Sequence, residues 1–493
     1  NVAGHLSLGM TLAAMGRHTA ALESYGHALE IDQQSVPVLV SQANVHKDLG
    51  KFDAAFSSIQ RALQADPDYV LAHNNLLFIQ NYVGHQTAER LLADAKRFGA
   101  VVTRQARPFK DHANSPNPHK VLKVGFVSGD LGEHPVGYFL ESVLSALQSQ
   151  SSGRLEIFAY PTVPSDDETS KRLKACCQGW HSAVGLSDEA LAKRIHEDGI
   201  DILVDLAGHT AHNRLPVFAW KPAPVQVSWL GYCATTGVAE MDYYIADAIA
   251  LPSSLEGQFV ESIWRLPESY LCLSRPNANV PVVAAPALAS ERVTFGSFNN
   301  LTKMTDETVH LWARILHAVP QSRLFLKSRQ LGDESVLQAT LARYANHGIG
   351  ADRLILEGHV NERGSHLAAY NRVDIALDPF PYNGVTTTAE ALWMGVPVLT
   401  LAGDRFLARQ GVSLLTNAGL PDWIASDLDD YVDRAVRHAG DLQSLATLRS
   451  GLRQQVLASP IFDAARFAAH FEAALRGMWE KWTNTTVSTS QLN

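Results

Sequence analysis

Three small hydroxyl side chains follow an Asn-Gly pair in the stretch DPFPYNGVTTTAEALWMGVPVLTLAGD, residues 378–404. The apolar segments at its two ends predict one strand that ends there and another that begins, with a short helix between them. The hydroxyls therefore lie where a strand ends and a helix begins. The first backbone N–H groups of a helix lack intrahelical partners, and the helix dipole favours an anion at that end.

These residue types suit a nucleoside diphosphate. Gly384 permits a ligand to approach the backbone, and Thr386 and Thr387 supply hydroxyl donors beside the helix amides. Glu390, one turn further, cannot help a phosphate, but it accepts hydrogen bonds from the vicinal hydroxyls of a ribose. On this stretch alone, the alternative that Thr386 only caps the helix is equally compatible with the sequence.

Two residues elsewhere favour the phosphate interpretation. Lys303, in FNNLTKMTDET (298–308), follows the first strand of the same half of the chain, so we expect it at the same edge of the sheet. A lysine there neutralises a diphosphate without a metal. His366, in ERGSHLAAYNR, lies early in another helix, and alone it is more typical of a surface histidine.

An earlier part of the chain offers a second group of candidates. His134, in VGFVSGDLGEHPVGYFL, follows a predicted strand and is placed to position a reacting hydroxyl or a sugar, although a loop histidine bonded to the backbone is the alternative. The segment VDLAGHTAHNRLP adds Asp205, His209 and His212 at a later strand end, where we expect Asp205 and His209 to line the cleft. The H-x-x-H spacing resembles a metal site, but no third ligand is apparent, so a zinc site is not favoured.

The first ninety-five residues repeat with a period of 34, which aligns Gly16, Gly50 and Gly84. This period, with small residues and a terminal Asp, is typical of tetratricopeptide repeats. It predicts two clear copies and a degenerate third near residues 70 to 95. Such helical arrays bind extended peptides on a concave surface.

Two series of alternating strands and helices follow the repeats and predict two doubly wound parallel sheets with a cleft between them. The overall prediction is an α-solenoid followed by two Rossmann-like α/β domains. Its parts are repeats at 1–106, a linker at 107–120, Rossmann-like domains at 121–284 and 285–483, the second with the terminal helices, and a disordered tail at 484–493.

Composition and hydropathy argue against several classes of protein. The formal net charge of −9, without a basic run, argues against nucleic-acid binding. No apolar run reaches the roughly 18 residues of a membrane span. Four cysteines without metal-ligand spacing predict free thiols in a reducing, cytoplasmic compartment.

The order of these motifs, together with GHTAHNRLPVFAWKPAPVQVSWLGYCATTG, resembles the O-linked N-acetylglucosamine transferases and their SPINDLY-type relatives, which form glycosyltransferase family 41. The resemblance covers nearly the whole chain. It implies a GT-B fold and metal-independent, inverting transfer of a sugar, N-acetylglucosamine from UDP-N-acetylglucosamine, to Ser or Thr hydroxyls of proteins. No cofactor beyond the nucleotide sugar is implied.

The resemblance also implies roles for individual residues. His134 matches the family's active-site histidine, Lys303 the lysine on the diphosphate, and His366 the histidine on the nucleotide side. The other donor-binding positions that it implies are Asn300, Gly384, Thr386, Thr387 and Glu390. This chain departs from the family pattern at three of these positions or next to them. Val385 stands where the animal transferases have a histidine, Asn300 stands in place of a glutamine, and Glu390 stands in place of an aspartate.

The valine before the threonines and the GHT at 208–210 are similar to the SPINDLY-type branch, which implies GDP-fucose as an alternative donor. Two other readings remain open. One is a non-hydrolysing nucleotide-sugar epimerase, against which the repeats argue, and the other is a repeat scaffold with an inactive transferase half. In the transferase reading, Lys303 and the amides near Thr386 stabilise the leaving diphosphate.

Overall fold

The computed structural model describes residues 1–84, 86–151, 153–358, 360 and 362–490, with side chains as far as residue 485. Nineteen α-helices lie in this part of the chain: α1 (Val2–Ala14), α2 (His18–Ile31), α3 (Val36–Asp48), α4 (Phe52–Ala65), α5 (Val70–Gln80), α6 (Ala88–Gln105), α7 (Pro135–Gln150), α8 (Glu168–Ala175), α9 (Asp188–Glu197), α10 (Leu215–Ala219), α11 (Ala287–Ser290), α12 (Asp306–Ala318), α13 (Glu334–Ala345), α14 (Arg363–Ala368), α15 (Thr386–Trp393), α16 (Gln410–Asn417), α17 (Leu428–Gly440), α18 (Leu442–Leu457) and α19 (Ala464–Ser490).

Thirteen strands lie in the same described part: β1 (Leu122–Ser128), β2 (Leu155–Pro161), β3 (Gly179–Trp180), β4 (Ile202–Asp205), β5 (Val225–Ser228), β6 (Tyr243–Asp247), β7 (Ser262–Leu266), β8 (Thr294–Ser297), β9 (Arg323–Lys327), β10 (Leu354–Glu357), β11 (Ile375–Leu377), β12 (Val398–Leu401) and β13 (Ile424–Ala425). The chain divides into two compact units. Unit 1 comprises Asn1–Gln86 and Pro276–Leu457, and unit 2 comprises Thr87–Arg275 and the chain from Ala458.

The repeats of unit 1 are helical pairs, α1 with α2 and α3 with α4. Gly16 and Gly50 lie in the turns within the two pairs, at φ of +78° and +70°. Glycine adopts this left-handed conformation without the Cβ clash of other residues, which explains the 34-residue spacing. Alanines such as Ala21 and Ala28 are fully buried where neighbouring helices approach each other. The two predicted copies are therefore present as helical pairs.

The repeats end earlier than the predicted limit of residue 106. Helix α5 supplies the first helix of a third repeat, but α6 belongs to unit 2 and contacts α10 there. Helix α6 has an apolar side with Phe98, Val101 and Val102 buried. Amphipathicity does not say which partner a helix covers, and this is why the sequence assigned α6 to the repeats.

The sheet of unit 2 has seven parallel strands in the order β3-β2-β1-β4-β5-β6-β7. The strands read as apolar runs because helices cover such sheets. The segment that was predicted as a linker, 107–120, has no helix or strand, but it is anchored within the unit. Phe109 stacks on His196 with ring centroids 4.0 Å apart, and Asn114 Nδ2 donates to Asp201 Oδ1 at 2.7 Å.

The last helix, α19, packs on the sheet of unit 2. The indole of Trp229 lies against Phe467 and Phe471, with centroids 5.8 and 4.6 Å apart, and Trp479 is fully buried. The prediction that the terminal helices all belong to the second Rossmann-like domain, 285–483, is therefore wrong for α19, which belongs to unit 2. The disordered tail is also wrong for residues 484–490, because α19 continues to Ser490, as helix extension is easier than helix initiation. Residues 491–493 lie outside the described part.

The sheet of unit 1 has six parallel strands in the order β10-β9-β8-β11-β12-β13. In both sheets the strand order reverses beside the first strand, which is the doubly wound Rossmann arrangement with its ligand crevice at the carboxyl ends of the strands. Both predicted sheets are confirmed. The segment 276–284 was predicted as the end of the first Rossmann-like domain, 121–284, but it belongs to unit 1 together with the second Rossmann-like domain. No helix in the described residues has the length and apolar character to cross a membrane.

Candidate active site

A buried carboxylate, Asp378, holds the loop that follows β11. Its Oδ1 accepts from the amide of Gly384 at 2.6 Å and its Oδ2 from the hydroxyl of Thr400 at 2.7 Å. Burial, which penalises the charged form, raises the pKa of this carboxyl to about 7, although nearby Lys303 opposes the shift. The sequence analysis missed Asp378. The available signal was an acid directly after a buried strand and before Pro-Phe-Pro.

Gly384 is required by packing within the loop. A Cβ at this position would lie 2.3 Å from Oγ1 of Thr387 and 2.9 Å from Oδ1 of Asn299. These two atoms bond each other, because the Thr387 hydroxyl donates to Asn299 at 3.1 Å. The structure therefore gives a reason for glycine that differs from the predicted approach of a ligand.

The amino end of α15 has no side-chain cap. Its N-cap is Val385, and the side chain of Thr388 donates back to the carbonyl of Gly384 at 3.1 Å. The alternative that Thr386 caps this helix is therefore wrong. Among the residues that the structure describes, none accepts from the amides of Thr386 and Thr387. These amides are available to an anion at the carboxyl edge of the sheet.

Lys303 is brought to this loop by a short turn, residues 301–303, after β8. Its Nζ donates to the carbonyl of Asn383 at 2.8 Å and lies 4.1 Å from the centroid of the Tyr382 ring. Oδ1 of Asn300 accepts from the amide of Thr302 at 2.9 Å and so caps the turn. The structure thus joins Lys303 to the Asn-Gly loop, as predicted. A direct contact of Asn300 with a donor stays a prediction.

Glu390 is buried one turn into α15 and is paired. Its Oε1 lies 3.2 Å from Nη2 of Arg363, and its Oε2 lies 3.2 Å from Nε2 of His366. The other ring nitrogen of His366 lies 3.3 Å from Nζ of Lys327, whose pKa is lowered by burial. His366 and Glu390 therefore meet, as the shared nucleotide assignment required. Arg363 and Lys327 were not identified from the sequence, because isolated basic residues are usually solvated.

His134, in unit 2, is the N-cap of α7. Its Nδ1 accepts from the amide of Val136 at 3.3 Å and lies 3.6 Å from Oδ1 of Asp130, which is too long for a hydrogen bond. Burial lowers the pKa of His134, and the Asp130 charge opposes the shift; burial also raises the pKa of Asp130. The ring is therefore neutral near pH 7, with Nδ1 as acceptor and the proton on Nε2. Asp130 was missed by the sequence analysis.

Asp205 and His209 are buried in unit 2. Asp205 accepts from the amides of Ala207 and Gly208 at 3.0 and 2.9 Å, and burial raises its pKa to about 6. Nε2 of His209 lies 2.9 Å from the carbonyl oxygen of Thr236. Exposures of 1% and 3% do not support the prediction that they line a cleft. Asp205 thus holds the turn after β4, and His209 joins that turn to the segment that contains Thr236.

The Glycosyl transferase family 41 profile matches residues 97–276 and 277–471, and tetratricopeptide repeats match residues 3–35 and 36–69. The two family matches cover most of the chain and include every candidate residue above. The chain belongs to glycosyl transferase family 41. The solved structure of an O-GlcNAc transferase mutant from Thermobaculum terrenum has a TM-score of 0.92 and 34% identity, over 99% of this chain and 92% of that one. The predicted fold, repeats followed by the two Rossmann-like domains of a GT-B protein, is thereby confirmed.

Plant members of family 41 are similar over most of the chain. A SPINDLY protein of Petunia hybrida, named as a probable UDP-N-acetylglucosamine–peptide N-acetylglucosaminyltransferase, is 39% identical over 86% of this chain. A protein of Arabidopsis thaliana with the same enzyme name, SEC, is 30% identical over 78% of this chain. This chain covers 46% and 40% of these two proteins, less than half of each.

Among the described residues, no group of three or more His, Cys, Asp or Glu side chains is arranged to hold a metal ion. His212, the second histidine of the H-x-x-H segment, lies instead against Gly129, with its Cβ 2.8 Å from where a Cβ on that glycine would lie. Its backbone has a φ of +59°.

The buried carboxyl of Asp378 predicts a pH dependence of stability. In the folded protein its pKa is about 7, against an ordinary value of 3.8. Between these pH values the folded state keeps a proton that the unfolded state has lost, so the unfolding free energy falls as pH rises from about 4 to 7. Asp378→Asn should flatten this dependence. Urea unfolding at several pH values measures it, and the same change at exposed Asp433 should leave the slope intact. An unchanged slope in Asp378→Asn would contradict the assignment.

Proposed function

We propose that the protein is an inverting glycosyltransferase that moves N-acetylglucosamine from UDP-N-acetylglucosamine to Ser and Thr hydroxyls of proteins, without a metal. The observation that carries the proposal is the arrangement at the carboxyl edge of the unit 1 sheet. There, Nζ of Lys303 is bonded to the carbonyl of Asn383, and the uncapped helix α15 begins three residues later. A fixed cation beside available amides is a site for a diphosphate.

The reaction needs stabilisation of the leaving group above all. In a single in-line displacement, the acceptor oxygen bonds to the anomeric carbon as the bond to the nucleoside diphosphate breaks. Negative charge grows on the diphosphate, where fixed donors lower the barrier most effectively. Lys303 and the amides of Thr386 and Thr387 take this role, and the ammonium replaces the metal ion of other transferases. The pair of His366 and Glu390 lies on the nucleoside side.

His134 has the properties of a positioning group. Because Nδ1 accepts from the amide of Val136, the neutral ring presents Nε2–H, which is a donor. The Nε2–H group can orient a sugar oxygen or an acceptor hydroxyl by donating to it. Because Nε2 already carries a hydrogen, it cannot accept the proton of the acceptor hydroxyl. General-base action by His134 is therefore the weaker option, and an oxygen of the donor phosphate is the alternative base.

The protein acceptor is proposed from the repeats and from the relatives. The SPINDLY and SEC relatives carry a name that includes peptide transfer, and arrays of this kind bind extended chains. Deletion of residues 1–95 is not a clean test, because it would expose the core of unit 1 and remove part of α6, which belongs to unit 2. We place the reaction in the cytoplasm, where the four cysteine thiols would stay reduced.

The deciding experiment is a calorimetric titration of UDP and GDP in buffer with a chelator, followed by analysis of the product with each nucleotide sugar and a protein acceptor. Binding of UDP and a mass gain of N-acetylglucosamine on the acceptor are expected. A preference for GDP would favour the fucosyl alternative, for which Val385 and the GHT at 208–210 are the supporting residues. Nucleotide binding without sugar transfer would favour the repeat scaffold with an inactive transferase half. Conversion of the sugar without transfer to the acceptor would favour the epimerase.

A further inference from the structure

The second and third repeats reach both loops that surround Lys303, although no repeat residue was assigned a part in donor binding. One contact runs from the turn after α5 to the Asn-Gly loop. The other runs from the end of α3 to the turn at residues 301–303. All of these elements belong to unit 1.

The first contact is aromatic. The ring of Tyr82, which is 5% exposed, lies 5.0 Å from the ring of Tyr382, centroid to centroid. Tyr82 is held in turn by Phe52 and Phe78, with centroids 5.8 and 5.6 Å away. The Tyr382 ring is also the face over which Nζ of Lys303 lies, at 4.1 Å. Tyr82 therefore supports the aromatic surface against which the ammonium rests.

The second contact is a hydrogen-bonded cluster around the side chain of Gln330. Its Nε2 lies 2.7 Å from Oδ1 of Asn300, 3.1 Å from the hydroxyl oxygen of Thr302 and 3.3 Å from the carbonyl oxygen of Asp48, and these three acceptors share its two N–H donors. Its Oε1 accepts from the amide of Leu301 at 3.1 Å. Gln330 thus ties the last residue of α3 to the turn whose third residue is Lys303.

A third bond fixes the repeat side of this arrangement. The guanidinium of Arg405, which is 6% exposed, donates from Nη2 to the carbonyl of Val83 at 3.2 Å. Val83 follows Tyr82 directly. The segment that carries Tyr82 is therefore bonded to the Rossmann-like part of unit 1 as well as packed on it.

We propose that Tyr82 and Gln330 are positioning residues, which hold Lys303 for the donor diphosphate, so that the repeats act in donor binding as well as in acceptor binding. This inference rests on the proposed function, because it takes the diphosphate as the partner of Lys303. A lysine side chain has much rotamer freedom, and a ligand that orders it loses affinity. Contacts that order the ammonium in advance remove that loss.

The test is calorimetric titration of the full chain with UDP, or with GDP if that is the nucleotide that binds. Tyr82→Leu and Gln330→Ala should each weaken nucleotide binding about fivefold or more, on the scale of coupled neighbours. Tyr82→Phe should restore the affinity, since the ring and not the hydroxyl makes the contact with Tyr382. No protein acceptor is present, so that any effect is on the donor alone.

Matched controls separate positioning from loss of stability. Tyr25→Leu makes the same change at a tyrosine that is 1% exposed in the core of the first pair of repeats. Gln338→Ala makes the same change at an exposed glutamine of α13, whose amide bonds Glu334. Tyr25→Leu should lower the melting temperature, and both controls should bind nucleotide within twofold of the wild type.

A double-mutant cycle with Lys303→Ala completes the test. If Tyr82 and Gln330 act through Lys303, their replacement should weaken binding much less in the Lys303→Ala background than in the wild type. Wild-type affinity in both single variants, or equal losses in the two backgrounds, would overturn the inference and leave the proposed function standing. Failure of the wild type to bind either nucleotide, or full affinity in Lys303→Ala alone, would overturn the proposed function itself.

Discussion

Replacement of Lys303 by alanine is expected to lower the rate of sugar transfer about 10²-fold or more, the cost of removing one donor from the charge that develops in a transition state. The ammonium is held by the Asn383 carbonyl and the Tyr382 ring, so it needs no rearrangement when the diphosphate leaves. Saturating donor and acceptor should not restore the rate, because the lost interaction is strongest in the transition state. Steady-state transfer of labelled sugar measures both kcat and kcat/KM.

Two variants control this prediction. Lys193→Ala removes an exposed lysine of α9, outside the repeats that are proposed to bind the acceptor, and should leave the rate unchanged. Lys303→Arg keeps the charge but replaces a compact ammonium by a planar guanidinium, so partial activity is expected. A loss of less than tenfold in Lys303→Ala, in a protein with the wild-type melting temperature, would contradict the assignment of Lys303 to the leaving group.

The sequence was sufficient for the features that depend on local pattern. A 34-residue period gave the repeats, because each turn needs a residue with a positive φ, as at Gly16 and Gly50. Alternation of apolar strands with helices gave both parallel sheets. The location of Lys303 also followed, because loops after parallel strands meet at one edge of a sheet.

The sequence was not sufficient where a residue's partner is distant in the chain. Gly384 was interpreted as space for a ligand, but the space is filled by Thr387 and Asn299. Gln330 resembles any polar residue in a loop, and its contact with the Asp48 carbonyl is 282 positions away. Asp378 is buried and bonded to Thr400, which no local pattern indicates. Tertiary packing decides each of these cases.

The ends of the domains failed for a related reason. The apolar sides of α6 and α19 show that each helix is covered, but they do not show by which sheet. Helix α6 contacts α10, and α19 contacts α7, so both belong to unit 2 although more than 350 residues separate them in the sequence. Adjacency in sequence was therefore a poor guide to the unit.

Replacement of Glu390 by alanine should lower the free energy of unfolding and weaken nucleotide binding. The carboxylate is 4% exposed, and it pairs with the side chains of both Arg363 and His366. Without it, these basic groups and the buried Lys327 lose their shared counter-charge. Because Arg363 and His366 are partly exposed, we expect a loss of about 2–3 kcal/mol in unfolding free energy, below the value for a fully buried pair. Urea unfolding followed by tryptophan fluorescence measures it.

A surface pair in the same unit calibrates that loss. Glu357 bonds Arg372 at 2.6 Å, with both side chains more than a third exposed, so Glu357→Ala should cost less than about 1 kcal/mol. Glu390→Gln keeps the shape and one acceptor, and it should fall between the two alanine variants. If Glu390→Ala were no less stable than Glu357→Ala but still bound nucleotide poorly, Glu390 would act on the ribose alone. If it lost stability but kept nucleotide affinity, the carboxylate would serve to hold Arg363 and His366 in place, and the predicted ribose contact would be wrong.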